Sequence, residues 1–513
     1  MTVPPSFDLV SEKWVPCVRL DGSTDELGLL DTLVHAHELR EVVDASPLVT
    51  ASLHRLLLAI LHRNFGPRNY DAWRELWEAE QFDAQVLAAY FDKWRHRFDL
   101  FDEERPFYQT PGMDEKMLKP VACLAHEIAQ GNNPTLFDHS CEDQAVALRP
   151  SESARLLVTH QATALHGLVS RERPEWRSAK AGTIARGFLV MPAGASLFAS
   201  LMLNALPVST RRFDEYQDDA PAWECADACC VEERSLRGYL DLLTWQSRRV
   251  WLEPDPSEGD LHVRRAISAK GCEFLDGMQP DDPMMAYIAP RDRSKEPHAL
   301  EFDERRVLWR DSMVLLTSER DLWRQPQTIE HLAELVITGD LPGGAVLDLS
   351  VFGMALQGSQ RRNIGFWRHE RLPLPLRYLA DDELVDYLHE CVQLTERVHG
   401  SLYGAACELA EEALTAGGRS ADTHARDQFI ASLGVSSAYW AALELPFREL
   451  VVALAEEDGD RYALEASWAE LLRSTAWEVF ERAQRSLAPN ARNLRASSHA
   501  RRVLGGSLRK HLA

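Results

Sequence analysis

The stretch RLPLPLR, residues 371–377, separates two kinds of chain. Proline lacks a backbone N–H and fixes φ, so two prolines alternating with leucines read as a break in regular structure. Downstream of it the pattern is helical. Leu384, Leu388, Cys391, Val392 and Val398 recur at helical spacing over 381–399, and Leu464, Trp468, Leu471, Leu472, Thr475 and Val479 over 462–487. Strand-like alternation is nearly absent there. Four or so amphipathic helices in this stretch predict an antiparallel bundle. The fold class expected is therefore α+β: a large mixed α/β domain over residues 1–377, then a C-terminal four-helix bundle over 378–513.

Upstream the elements are mixed. FDLVSEKWVPCVRLDG (7–22) predicts two short strands with a turn at Asp21 and Gly22. Ser46 and Pro47 have the chemistry of an N-cap and first helical residue, Val49, Leu53, Leu56, Leu57 and Ile60 give an apolar face, and Gly66-Pro67 is a stop. A second helix is expected over 70–93, with helical patterns at 150–170 and 195–205. WQSRRVWLE and DPMMAYI, within 245–290, read as strands, as does VLDLSVFGM (346–354).

A 513-residue chain exceeds one ordinary core, so two or three domains are expected. No stretch approaches the roughly 20 apolar residues of a membrane span, and the N-terminus has no charged segment leading into an apolar run, so no secretory signal is read there. Nine scattered cysteines fit a reducing cytoplasm. The net charge of −23 argues against nucleic-acid binding over the whole surface, because phosphate repulsion is long-ranged. Local basic patches remain. Residues 486–513 contain no Asp or Glu but carry Arg492, Arg495, Arg501, Arg502, Arg509 and Lys510, which on their own read as a solvated basic tail.

The strong enzyme motifs are missing. There is no P-loop, no G-x-S-x-G elbow and no H-E-x-x-H. CADACC (225–230) lacks a second cluster at zinc spacing, so no metal and no cofactor are expected. Three loops remain. NNPTLFDHS (132–140) sets Asn133 and Phe137 among turn formers. RERPEWRSAKAGTIARG (171–187) carries Arg177 and Lys180. ALQGSQRRN (355–363) follows a strand and presents Gln357, Gln360 and Arg361. Each taken singly is explained by a solvated loop or an anchored aromatic. Together, on an acidic chain, they suggest a confined nucleic-acid contact that leaves most phosphate binding to another molecule.

Five segments in order carry a resemblance to a known family: the opening 7–22, DASPLVTASLHRLLLAILHR (44–63), LDLLTWQSRRV (240–250), DPMMAY (282–287), and the VFGM to WRHERLPLP run (351–375). They resemble the CasA family, the large subunit of the type I-E CRISPR surveillance complex Cascade. The resemblance implies a non-catalytic cytoplasmic subunit that associates with guide RNA and the other Cascade subunits. It implies that the chain checks double-stranded target DNA for a short flanking motif, the PAM, helps open the duplex, and recruits a helicase–nuclease. The family's wedge glutamine falls on Gln357 or Gln360, beside Arg361. Its glycine-rich PAM loop falls near Trp176–Lys180, where this sequence reads WRSAK, without glycine and with Arg177 and Lys180. Its lysine falls near 270–273, with Lys270 nearest, and a loop toward the guide end falls on 130–142, with Asn133 and Phe137. Two other readings stay open: a scaffold subunit of the same complex without PAM reading, and a hydrolase using His139 with Asp138 or Cys141.

Overall fold

The computed structural model describes residues 4–126, 146–170, 173–212, 218–226, 230–256, 260–275, 280–288, 297–303, 308–316, 323–357, 363–415, 422–457 and 459–512. The chain gathers into two compact units built from interleaved segments. One comprises 1–304, 318–335 and 348–371; the other comprises 305–317, 336–347 and 372–513.

The larger unit mixes helices with small sheets. Strands Val15–Arg19, Thr24–Leu27 and Leu39–Val42 form an antiparallel sheet with Val15–Arg19 at its centre. The helix expected after Ser46 runs Pro47–Phe65 and ends at Gly66. All its residues from Leu48 to His62 are buried, so it is enclosed on every side, and its polar residues Arg55, His54 and His62 are carried inside with it. The single helix expected over 70–93 is two, Tyr70–Glu78 and Ala84–Trp94. Glu80 takes a left-handed φ of 57°, which ends the first, and the Asp83 carboxylate accepts from the backbone of Gln85 and Val86 to start the second. DPMMAYI yields only a two-residue strand, Tyr287–Ile288, because Asp282 bends the chain before it with its carboxylate on Met284 N.

RLPLPLR is not irregular. It closes a strand, Asn363–Pro375, and a short 3-10 turn, Leu376–Leu379, follows. That strand is the outer member of a three-stranded sheet whose centre is Val346–Gln357 and whose far member is Phe188–Ala193. An edge strand has one side without ladder bonds, so Pro373 and Pro375 are tolerated there.

The smaller unit is helical from residue 382 on: Asp382–Leu414, Thr423–Leu433, Val435–Leu454, Arg461–Arg485 and Ala491–His511. Among the described residues the bundle thus has four rods, the second divided at Gly434, whose φ of +61° turns the backbone left-handed. Asp381, Asp422, Asp460 and Asn490 each cap a helix with the side-chain oxygen on a backbone N–H. The core is leucine and aromatic: Leu388, Leu402, Leu443, Leu472 and Phe480 are fully buried. Trp309 stacks on Phe447 at 4.3 Å. The basic stretch after residue 486 is not a frayed tail. Most of it is the last helix, with Ala500, Leu504 and Leu508 buried and all six cations exposed.

Candidate nucleic-acid interface

The basic loop of the larger unit folds as a hairpin. Gly167–Leu168 pairs antiparallel with Ser178–Ala179, and Val169 N donates to Arg177 O at 3.1 Å. Ser170 N donates to Ser268 O, which straps the hairpin to the strand His262–Lys270. That strand pairs antiparallel with Arg248–Asp255 on one side and Lys119–Pro120 on the other.

At the strand's end the chain turns sharply through Gly271. A Cβ at that position would lie 2.6 Å from Arg248 N and 2.7 Å from Gln246 O, so only glycine allows the two backbones this close. The turn delivers Glu273, which is 5% exposed, to the hairpin. One carboxylate oxygen accepts from Lys180 N at 2.9 Å, and the other lies 3.0 Å from Lys270 Nζ. Lys180 Nζ donates to Phe274 O at 3.0 Å. The Arg248 guanidinium donates to the carbonyls of Lys180, Leu165 and Ser247 at 2.6–2.8 Å. Its burial pushes it down to about 10, opposed by the Glu273 charge.

Outside this bonded centre lies a more open rim. Trp176 has the Arg173 guanidinium 4.5 Å from its ring centre and the Arg249 guanidinium at 5.2 Å. Lys116, Lys119 and Arg177 are exposed and line one groove of about 460 Å³ with Met117, Leu168 and Ser170.

Of the residues singled out from the sequence, Lys180 and Lys270 meet at Glu273, and Arg177 is exposed on the adjoining groove. Gln357 belongs to a different sheet, as the last residue of its central strand. Its side chain lies across Gly365 of the neighbouring strand, where a Cβ would come within 2.4 Å of Gln357 Nε2. Asn133, Phe137, Gln360 and Arg361 lie outside the described residues, as do Asp138, His139 and Cys141. Among the described residues no group of three or more His, Cys, Asp or Glu is placed to hold a metal ion, and no helix is long and apolar enough to cross a membrane. Sequence reasoning missed Glu273, Lys116 and Lys119. The traces were there in KGCE (270–273) and KMLK (116–119), but nothing local says that they share a surface with the hairpin.

A fold of a mixed unit plus a helical bundle is matched among known proteins. The model of the family described as CRISPR-associated protein Cse1 matches residues 8–479, and the chain belongs to that family. A CRISPR-associated protein CasA/Cse1 of Thermus thermophilus is 32% identical, across 97% of this chain and 96% of its own. The crystal structure of Thermus thermophilus CasA superposes with a TM-score of 0.82 at 28% identity, covering 99% of this chain and all of that one. Cse1 from Acidimicrobium ferrooxidans shares the fold at a TM-score of 0.84 and 24% identity, covering 100% and 99%. A chain of a CRISPR RNA-guided surveillance complex shares it at 0.77 and 22%, covering 98% and 100%.

Proposed function

We propose that this chain is the non-catalytic large subunit of a cytoplasmic RNA-guided surveillance complex. In this reading it assembles with guide RNA and the other subunits, reads the PAM of double-stranded target DNA, helps open the duplex and recruits the helicase–nuclease. Membership of the Cse1 family and the near full-length likeness to CasA support the assembly role.

The observation that carries the DNA-reading part is the Glu273 carboxylate, which holds the Lys270 ammonium and accepts from the Lys180 backbone N–H, beside a groove lined by Lys116, Lys119 and Arg177. A buried carboxylate fixes the Lys270 ammonium and the backbone at Lys180, and the exposed cations supply a short phosphate contact on a chain that is otherwise strongly acidic. Lys270 is the base-edge candidate, and its exchange of Glu273 for a minor-groove acceptor fits a tolerant reading, since that groove offers a degenerate pattern. Gln357 and Gln360 are the wedge candidates, with Arg361 beside them, and Asn133 and Phe137 the residues nearest the guide end. Unstacking a step costs a few kcal/mol, offset by guide pairing and backbone contacts.

A second reading is favoured by two features: Lys180 and Lys270 already have protein partners, and WRSAK replaces the family's glycines. On that reading the chain is a scaffold without PAM reading. The test is binding of the guide-loaded complex, reconstituted with and without this chain, to duplexes that differ only in the flanking trinucleotide. Dependence on the trinucleotide that this chain confers, and that Lys270→Ala weakens, upholds DNA reading. Identical binding with and without the chain leaves only the scaffold.

A further inference from the structure

Cys230 and Cys272 bring their sulfurs to 3.8 Å, the Cys272 thiol also donating to Cys230 O at 3.2 Å. The contact is held by backbone on both sides. Cys272 N donates to Gln246 O, and Glu273 N donates to Glu232 O, where Glu233–Arg234 and Glu273–Phe274 pair as parallel strands. The two thiols are reached differently. Cys272 is 2% exposed, whereas Cys230 is partly exposed and lines a cavity of about 210 Å³ with Arg97, Tyr108, Thr110, Trp223 and Gln246. The Arg234 guanidinium, paired with Asp241, stands beside this pair at the end of the parallel strand Glu233–Arg234. The next residue after Cys272 is Glu273, the carboxylate that holds Lys180 and Lys270.

We propose that Cys230 and Cys272 are a thiol-modification site: a low-molecular-weight disulfide such as oxidised glutathione converts them to an intramolecular disulfide that fixes the Glu273 turn. The Cys230 thiolate attacks one sulfur of the oxidant, forming a mixed disulfide and expelling one thiolate. The Cys272 thiolate then attacks Cys230 Sγ, expels the second thiolate and closes the protein S–S bond. Two protein thiols are oxidised, one small disulfide is reduced to two thiols, and the two protons lost from the cysteines protonate the leaving thiolates. The sulfurs close from 3.8 Å to about 2.05 Å, a movement that side-chain rotation and a small shift of the turn supply. Burial raises the Cys230 thiol above its ordinary range, so the first step is slow at neutral pH and quickens as pH rises.

The effect on DNA rests on the reading of Lys270 as a DNA contact. With the turn cross-linked, Glu273 keeps hold of Lys270 and the lysine is withheld from the groove. The experiment is oxidation of the purified chain with oxidised glutathione, counting of free thiols and peptide mapping, then reconstitution with guide and partner subunits in the oxidised and the dithiothreitol-reduced state. The expected result is loss of two thiols, a 230–272 cross-linked peptide absent from Cys272→Ser and from Cys230→Ala, and trinucleotide-dependent affinity weaker by at least about fivefold in the oxidised form, restored by reductant. No thiol loss, a link to Cys229 or Cys225 instead, or glutathione left on Cys230 overturns the modification site. A formed disulfide with unchanged trinucleotide-dependent binding overturns the coupling and leaves DNA reading intact. A formed disulfide with no trinucleotide dependence in either state removes the DNA reading and the coupling, and keeps the dithiol.

Discussion

The two units bury different chemistry. Among the described residues, the buried polar side chains of the bundle unit are all hydroxyls: Ser312, Thr395, Ser401, Thr475 and Ser497. The larger unit buries Arg55, Arg155, Arg248, Arg249, Asp241, Asp282 and Glu273, with His54, His62, His160 and His331. A hydroxyl can bond its own helix backbone, as Thr395 does to Cys391 O at 2.8 Å, so the bundle needs little help from distant sequence. A buried ion needs a partner from elsewhere in the chain. Arg55 meets Asp282 at 2.7 Å across 227 residues. The bundle is thus held chiefly by apolar packing, while the larger unit is held by packing and by a set of pairs that must all form together.

The sharpest way to break this contrast is Asp282→Ala. Arg55 and Asp282 are each 2% exposed in their side chains, and removal of the carboxylate leaves a buried guanidinium without its counter-charge. A loss of about 3–5 kcal/mol is expected, read as an earlier transition of the larger unit in denaturant melts. A loss below about 1 kcal/mol would mean that the pair is dispensable and the contrast is drawn in the wrong place.

Acid is the next largest lever. Burial lowers His54 to about 4 and His331 to about 3, and holds His62 and His160 well below 6.5. The folded-state values lie beneath the unfolded one, so the unfolded chain takes up protons first. Their stabilisation is complete above about pH 6.5 and is lost as pH falls toward 4 for His54 and toward 3 for His331. At pH 5 each contributes a loss of about 2 kcal/mol. Calorimetry at pH 7 and pH 5 should show the larger unit's transition moving down well before the bundle's, where His399 is also lowered by burial but less completely enclosed. Parallel movement of both transitions would count against the contrast.

Gly434→Ala probes the other side. Its left-handed φ of +61° costs an alanine about 1 kcal/mol, and the change should lower the bundle's transition and leave the larger unit's untouched. The smallest stability effects belong to the groove. Lys116→Ala, Lys119→Ala and Arg177→Ala remove exposed cations and should change stability by no more than about 0.5 kcal/mol. If the groove meets DNA, the triple variant reduces the salt dependence of binding by the assembled complex; an unchanged slope against salt removes the groove from the interface.

The same contrast explains what the sequence made legible. The bundle helices read over 381–399 and 462–487 repeat every 3.6 residues and carry their own caps at Asp381 and Asp460, so they could be read locally, whereas the last helix, capped by Asn490, was taken for a basic tail. The Pro47–Phe65 helix was legible for the same reason, from its proline start and glycine stop. The edge strand through Pro373 and Pro375 was misread because proline's tolerance there depends on which side of the strand has a neighbour. Lys180 and Lys270 could be picked out singly, but their common partner Glu273 is 93 residues from Lys180 and offers no periodicity to follow. Gln357 was read as a loop residue, but the strand runs on through it and its side chain rests on Gly365, a contact only the paired strands create.

The two prolines of that edge strand have a further consequence. An open sheet margin is a template on which a foreign strand can add, one backbone bond after another. Pro373 and Pro375 bring no N–H to that margin, so an approaching strand meets gaps where donors should be. RLPLPLR thus carries its own guard against this margin being drawn into β-aggregates.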